Sequence, residues 1–153
     1  MDNNKKLTDD QGCFACGTNN REGLKLKFSY PQPGTCRAEF VPEQKFQGWK
    51  GILHGGIITT LLDEALAHAV GGPASAEGLQ PAGGDEGGGG ASGAVTAELT
   101  VRFQKPVKTG QSVILYGRVT SDKGRVVEAV SQIEDRQGVV LASAKGKLVR
   151  PPK

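Results

Sequence analysis

Residues 55–70 read GGIITTLLDEALAHAV, with apolar side chains recurring every three or four positions. This spacing predicts an α-helix with a broad apolar stripe. The remaining positions are mostly short residues such as Thr59, Thr60 and Ala67, so we expect most of the helix circumference to be buried. A helix enclosed by a sheet has this character, and we therefore expect the rest of the chain to supply strands.

Strand-forming alternation occurs on both sides of this helix. The apolar positions from Leu24 to Tyr30 predict a first strand, and residues 35–41 predict a second strand that pairs with it as a hairpin. Four further alternating segments, separated by short turns, predict an antiparallel meander in which neighbours in sequence pair. These segments are residues 95–104, 112–121, 125–135 and 139–150. The sequence therefore predicts an α+β fold, a curved antiparallel sheet wrapped around one long central helix.

The chain of 153 residues is long enough for one domain with a substantial core but too short for two. We predict a single domain over residues 13–153, preceded by a flexible amino-terminal tail over residues 1–12. Ten glycines lie within residues 71–93, and such a composition buries too little apolar surface to offset the entropy of ordering. We predict that this segment is a flexible insertion.

Charge and composition exclude several classes of partner. The 19 basic and 16 acidic residues give a net charge of +3 without a run of five or six like charges, which argues against nucleic acid. No apolar run approaches the ~20 residues needed to cross a bilayer, so no membrane partner is expected. The amino terminus lacks the apolar region of an export signal and the three cysteines are an odd number, so we predict a cytoplasmic protein without a disulfide framework.

Two cysteines have a spacing that is familiar from metal sites. Cys13 and Cys16 form half of a possible zinc site. No second pair follows in the sequence, and Cys36 alone does not complete a site, so we expect no bound metal.

The turn before the helix, Leu53-His54-Gly55-Gly56, presents free backbone N–H groups and the positive end of the helix dipole. Glycines at this point let another molecule approach the backbone closely. Such donors suit a carbonyl oxygen that gains negative charge during acyl transfer, which makes the turn a candidate oxyanion hole. The alternative is a helix-start turn without a catalytic role.

Asp63 and Glu64 lie in the middle of the helix, where adjacent residues point about 100° apart, so they are not expected to share a role. A carboxylate on a largely buried helix is costly unless it has a partner or a task. The alternative is that both lie on an exposed face. Gly56 and Asp63 are seven residues apart, about 10 to 11 Å along the helix axis. If both act on one substrate, we expect them to come from different subunits across an isologous interface.

The motif Phe46-x-Gly48-x-x-Gly51-x-x-His54-Gly55-Gly56, followed by Leu62-Asp63, resembles the signature of PaaI-like hotdog thioesterases. The resemblance covers nearly the whole chain outside the glycine-rich segment. It includes Cys13-Phe14-Ala15-Cys16-Gly17, Gly23-Leu24, and Val95-Thr96-Ala97-Glu98-Leu99 through Phe103 and Pro106. It implies a hotdog fold whose subunits join their sheets as a homodimer, or as a dimer of dimers (a homotetramer), with two active sites between each pair of subunits.

The resemblance also implies roles for the residues at matching positions. Gly56 N–H would polarise the carbonyl of an acyl-CoA thioester, His54 would orient the loop or the substrate, and Asp63 of the partner chain would be the general base or nucleophile. Thr96 falls where some relatives position water or the carboxylate. It alternates out of phase with the apolar residues of its strand, so a plain strand-face threonine is the alternative. Coenzyme A enters as part of the substrate, and no separate cofactor is expected.

Several further residues are candidates for contacts with the substrate. They are Gly55, Gly48, Trp49, Glu64, Arg102 and Lys105. Gly48 occupies a position where a subset of relatives has an Asn, so that polar contact is missing here. Trp49 could form the floor of an acyl pocket or simply anchor its loop. Arg102 and Lys105 could meet the CoA phosphates or be solvated charges on a strand face.

The sequence favours an acyl-CoA thioesterase that releases a free acid and CoA. Two other functions stay open. A hotdog enoyl-CoA hydratase or dehydratase is suggested by His54 with an acidic residue later on the same helix. A non-catalytic acyl-CoA binding module is the other, because a fold alone does not determine chemistry.

Overall fold

A computed structural model describes residues 10–72 and 94–151 of the protein. The described residues form one long helix, α1 (Gly55–Gly71), and a short 3₁₀ turn at Gln44–Phe46. The strands are β1 (Phe28–Ser29), β2 (Thr35–Phe40), β3 (Val95–Phe103), β4 (Val113–Asp122), β5 (Val126–Glu134) and β6 (Val140–Val149). Most of the predicted tail and of the predicted insertion lies outside the described residues, although α1 takes up Gly71, the first residue of that insertion.

The six strands form one antiparallel sheet in the order β1-β2-β4-β5-β6-β3. The predicted antiparallel sheet around one helix is therefore confirmed, and β4, β5 and β6 pair as a meander. The expected pairing of β3 with β4 is wrong, because β3 lies at the far edge beside β6. Residues 104–110 cross over instead of forming a hairpin, since Val107 is fully buried and its carbonyl accepts a hydrogen bond from Leu53 N–H at 2.8 Å.

The first strand is much shorter than predicted. Leu24 and Leu26 are buried, as their alternation suggested, but Lys25 between them has a left-handed backbone with φ of 54°. Their N–H groups donate to the carbonyls of Phe14 and Ala15, at 2.8 and 2.9 Å. This stretch therefore pairs with the amino-terminal turn, and only Phe28–Ser29 joins the sheet.

The sheet wraps α1 closely enough to bury most of the helix. Five helix side chains are completely buried: Leu61, Leu62, Ala65, Leu66 and Ala69. Each buried leucine contributes about 1.5–3 kcal/mol through the removal of apolar surface from water. The approach is closest at Gly117 of β4, where a Cβ atom would lie 2.2 Å from the carbonyl oxygen of Ala65. The predicted burial of the helix is confirmed.

Two side chains of the sheet donate hydrogen bonds to carbonyl groups of α1. Cys36 Sγ of β2 donates to the Ala65 carbonyl at 3.1 Å, and Ser131 Oγ of β5 donates to the Leu62 carbonyl at 2.8 Å. These bonds fix the helix in the concave face of the sheet. Within the described ranges, the helical segments are too short or too polar to span a bilayer.

Candidate active site

The amino-terminal end of α1 is capped by its own histidine. His54 has an extended backbone, and its Nδ1 accepts a hydrogen bond from Gly56 N–H at 2.9 Å. Because Nδ1 is the acceptor, the neutral imidazole carries its proton on Nε2. The Gly56 N–H group, which was predicted to bind a substrate oxygen, is thus hydrogen-bonded to His54 in this chain.

An open cleft of about 420 Å³ adjoins this helix start. It is lined by Gly48, Trp49, Ile52, Leu53, His54 and Gly55. Trp49 is 85% exposed, so its indole is available for an apolar ligand or for another protein surface. The cleft brings together four of the residues proposed from the sequence, and it joins them to the end of the helix where the backbone donors lie.

Phe103 is a further component of this region that residue-level reasoning did not single out. It is 55% exposed at the end of β3, and its ring lies 3.7 Å from the position that a Cβ atom on Gly55 would occupy. Phe103 belongs to the stretch that carries the family resemblance, but a lone aromatic residue at a strand end has no distinctive pattern of its own. Its contact with the helix start arises only when β3 is placed at the sheet edge.

Asp63 is a half-buried carboxylate with a specific partner. Its Oδ1 accepts a hydrogen bond from Thr96 Oγ1 of β3 at 2.7 Å. Burial raises the pKa of Asp63, the Thr96 hydrogen bond acts in the opposite direction, and the nearby charge of Glu64 raises it further. A carboxylate with a raised pKa is a stronger base than an exposed aspartate, which suits proton abstraction.

A β-bulge explains why Thr96 faces the helix. The register between β3 and β6 shifts between Thr96 and Glu98, so Ala97 is an extra residue. Thr96 pairs with the buried Leu148, whereas Leu99, on the other side of the bulge, pairs with Gly146. One inserted residue inverts the alternation, so Thr96 and Leu99 point to the same face. The alternative reading, a threonine on the face of β3 that points away from the helix, assumed unbroken alternation. That direction is wrong, because Thr96 points toward α1.

Glu64 makes contacts that are separate from those of Asp63. Its Oε1 lies 3.2 Å from Nε2 of the buried His68. Burial alone would raise the pKa of Glu64, but the contacts with His68 and Cys16 outweigh it and lower the pKa. The two carboxylates therefore meet different groups, as their angular separation on the helix predicted, and a substrate-binding role for Glu64 stays a prediction.

The remaining proposed residues lie at the surface. Arg102 and Lys105 are exposed at the end of β3 and just beyond it, and their role toward CoA phosphates stays a prediction. Gly56 and Asp63 both belong to α1, seven residues apart, so about 10 Å of helix axis separates them in one chain. A single chain does not bring the helix-start donors and the carboxylate to one atom.

A family comparison identifies the type of protein. The model of the thioesterase superfamily matches residues 50–142, more than half of the chain. The chain belongs to the thioesterase superfamily. The matched range includes the helix start, Asp63 and Thr96, so the candidate active site lies within the superfamily domain. No curated protein matches the chain.

Several solved structures share the fold. One is the crystal structure of a thioesterase superfamily protein that is 24% identical to this chain, with a TM-score of 0.73. The match covers 91% of this chain but only 60% of that longer protein. The E. coli PaaI protein of the phenylacetic acid degradation operon is 19% identical with a TM-score of 0.66, over 83% and 80% of the two chains. A Streptococcus mutans UA159 protein bound to acetyl CoA is 18% identical with a TM-score of 0.64, over 81% and 86%. The hotdog fold and the PaaI-like resemblance are confirmed.

Proposed function

We propose that the protein hydrolyses acyl-CoA thioesters as a homodimer, with Asp63 as the general base. The observation that carries this proposal is a half-buried Asp63, held by Thr96 and with a raised pKa, about 10 Å along α1 from the backbone donors of the same chain. Superfamily membership supports thioester chemistry. The acetyl CoA bound to the Streptococcus mutans structure supports CoA esters as the substrate class.

The separation of the two groups supports a site between subunits. β3 lies at one edge of the sheet, and seven of its nine residues are exposed, including Val95 and Phe103. A second copy that docks beside this edge would cover these apolar side chains and bring its own helix start toward Asp63. In an isologous dimer the same arrangement arises twice, which gives two equivalent sites. A homotetramer would pair two such dimers.

In the proposed reaction, the Asp63 carboxylate takes a proton from water as the water oxygen attacks the thioester carbon. The carbonyl oxygen becomes negative and accepts a hydrogen bond from Gly56 N–H of the partner subunit, in place of the His54 Nδ1 that holds this donor in the free chain. Collapse of the intermediate breaks the carbon–sulfur bond, and the CoA thiolate leaves and takes the proton that Asp63 received from water, which restores the carboxylate. Preorganised donors of this kind stabilise the transition state without reorganisation.

The test is thiol release from short, medium, long and aromatic acyl-CoA substrates. Asp63→Asn keeps an oxygen that can accept from Thr96 but removes the base, so kcat should fall by about 10²–10⁴-fold. The circular dichroism spectrum should stay unchanged, because the shape of the side chain is preserved. Wild-type kcat/KM in the Asn variant on every active substrate contradicts the mechanism.

The same incubations separate the other functions. Hydration of crotonyl-CoA with the thioester retained would identify a hydratase. Tight binding of an acyl-CoA without thiol release from any substrate would identify a binding module.

A further inference from the structure

The amino-terminal turn and the middle of α1 bring three metal-binding side chains together. The Sγ atoms of Cys13 and Cys16 and a carboxylate oxygen of Glu64 all lie within 4.8 Å of one another. Around a tetrahedral zinc ion, with bonds of about 2.0–2.3 Å, neighbouring ligand atoms lie about 3.3–3.8 Å apart. The three groups therefore need to move by about an ångström to share one ion.

The backbone of the cysteine turn is arranged to support a metal-bound sulfur. The N–H groups of Ala15 and Cys16 both point at Cys13 Sγ, at 3.3 and 3.5 Å. Backbone donors directed at this sulfur would serve as outer-shell contacts that orient it as a metal ligand. Gly17 closes the turn, and a Cβ atom there would lie 2.3 Å from the Gln11 carbonyl oxygen and 2.4 Å from the Cys13 nitrogen.

Glu64 lies beside a buried histidine that could orient it as a metal ligand. His68 is 2% exposed, stacks on Phe28 with 4.1 Å between ring centroids, and is bonded through Nδ1 to Tyr30 Oη at 2.8 Å. Its Nε2 is 3.2 Å from Glu64 Oε1, but the alignment is poor, and in the described part of the chain this nitrogen makes no hydrogen bond. A carboxylate drawn slightly toward an ion would be oriented by this neighbouring ring, as ligands usually are by outer-shell groups.

We propose that Cys13, Cys16 and Glu64 bind one zinc ion, with solvent at a fourth position. Two thiolates and a carboxylate are a ligand set that favours zinc over magnesium or calcium. The expectation of no metal considered Cys36 as the third ligand, and the structure places that thiol elsewhere, bonded to the Ala65 carbonyl. The ion would fasten the amino-terminal turn to the helix that carries Asp63, and the inference does not depend on the thioesterase reaction.

The experiment uses the full chain without a purification tag, reduced, loaded with Zn²⁺ and dialysed. Elemental analysis should find about one zinc per chain, and competition with a chromophoric chelator gives the affinity. Cys13→Ser should weaken zinc binding at least about 100-fold, and Glu64→Gln about 10-fold or more. Cys36→Ala is the matched control, because it removes one buried thiol outside the cluster and should retain the zinc.

Cys13 is exposed, so its serine variant should keep the wild-type circular dichroism spectrum, which separates loss of the ligand from loss of the fold. Co²⁺ should give a sulfur-to-metal charge-transfer band in the wild type that Cys13→Ser reduces. The proposal is overturned if the reduced wild type retains no zinc, if Cys13→Ser binds zinc as tightly as the wild type, or if the Cys36→Ala control loses it equally.

Discussion

The pKa of Asp63 is set by contacts that act in opposite directions. Burial raises its pKa, and the hydrogen bond from Thr96 lowers it. The balance sets the pH at which the carboxylate becomes available as a base, because only the deprotonated form can accept a proton from water. We therefore expect the acid limb of the pH profile of kcat/KM to report on Thr96 as well as on Asp63.

Thr96→Val removes the hydroxyl donor while keeping the branched shape of the side chain. The pKa of Asp63 should rise further, so the acid limb of kcat/KM should move to higher pH. At a pH on that limb, kcat/KM should fall by about tenfold, the equivalent of losing a hydrogen bond to a charged group. Thr100→Val, an exposed change on the same strand, is the control and should leave the limb in place. A limb that stays unmoved in Thr96→Val removes Thr96 from the proposed site.

The sequence was informative about the identity of these residues and less so about their directions. His54, Gly56 and Asp63 were found because the end of a helix and a carboxylate on a buried helix are unusual in physical terms. The orientation of Thr96 depends on the β-bulge at Ala97. The sequence does not reveal this extra residue, because the small side chain of Ala97 fits either face of the strand. The contact between Cys16 and Glu64 joins residues 48 positions apart and depends on the tertiary fold.

At the scale of elements, the distance between α1 and β4 is set by a missing side chain. Gly117→Ala would place a Cβ atom 2.2 Å from the Ala65 carbonyl oxygen, and backbone on both sides must move. We expect a loss of about 3 kcal/mol in the free energy of unfolding, at the upper end of the usual cost of overpacking. Urea denaturation followed by circular dichroism measures the loss.

Gly55→Ala is the matched control for this prediction. Its Cβ atom would meet the Phe103 ring at 3.7 Å, an ordinary contact. This substitution should be neutral or slightly stabilising, because alanine favours a helix more than glycine does. Equal urea midpoints for the two variants would show that the spacing of α1 and β4 is not controlled by Gly117.

Element types were predicted more successfully than their neighbours. The helix and the strands from β2 onward agree with the structure to within one or two residues at their ends. Alternation reports which face of a strand is buried but not which strand lies beside it, so the place of β3 next to β6 was missed. The predicted length of β1 was too great. Leu24 and Leu26 are both buried, as in a strand, but Lys25 between them has a left-handed backbone and the stretch is not extended.

For the whole molecule, the proposed site makes a specific prediction about mixed dimers. Asp63→Asn lacks the base, and Gly56→Pro, in the first turn of α1, lacks the N–H donor. If the two groups come from different subunits, a mixed dimer has one site with both defects and one intact site. Subunit exchange at equal concentrations should then restore about a quarter of the wild-type activity, since about half of the dimers are mixed.

Each variant alone should be inactive, and circular dichroism should establish that both are folded before they are mixed. Size-exclusion chromatography with light scattering measures the oligomeric state of each sample. If the groups act within one chain, every site in a mixed dimer carries one defect. Mixing would then restore no activity, and the arrangement across subunits would be wrong.

The crossover at residues 104–110 links the edge strand β3 to the loop that precedes His54. It continues directly from β3, and two backbone bonds tie it to the residues just before His54: Leu53 N–H to the Val107 carbonyl at 2.8 Å, and Thr109 N–H to the Gly51 carbonyl at 3.0 Å. A displacement of the edge strand β3 would therefore be transmitted to the capped helix start through a continuous backbone route of a few residues.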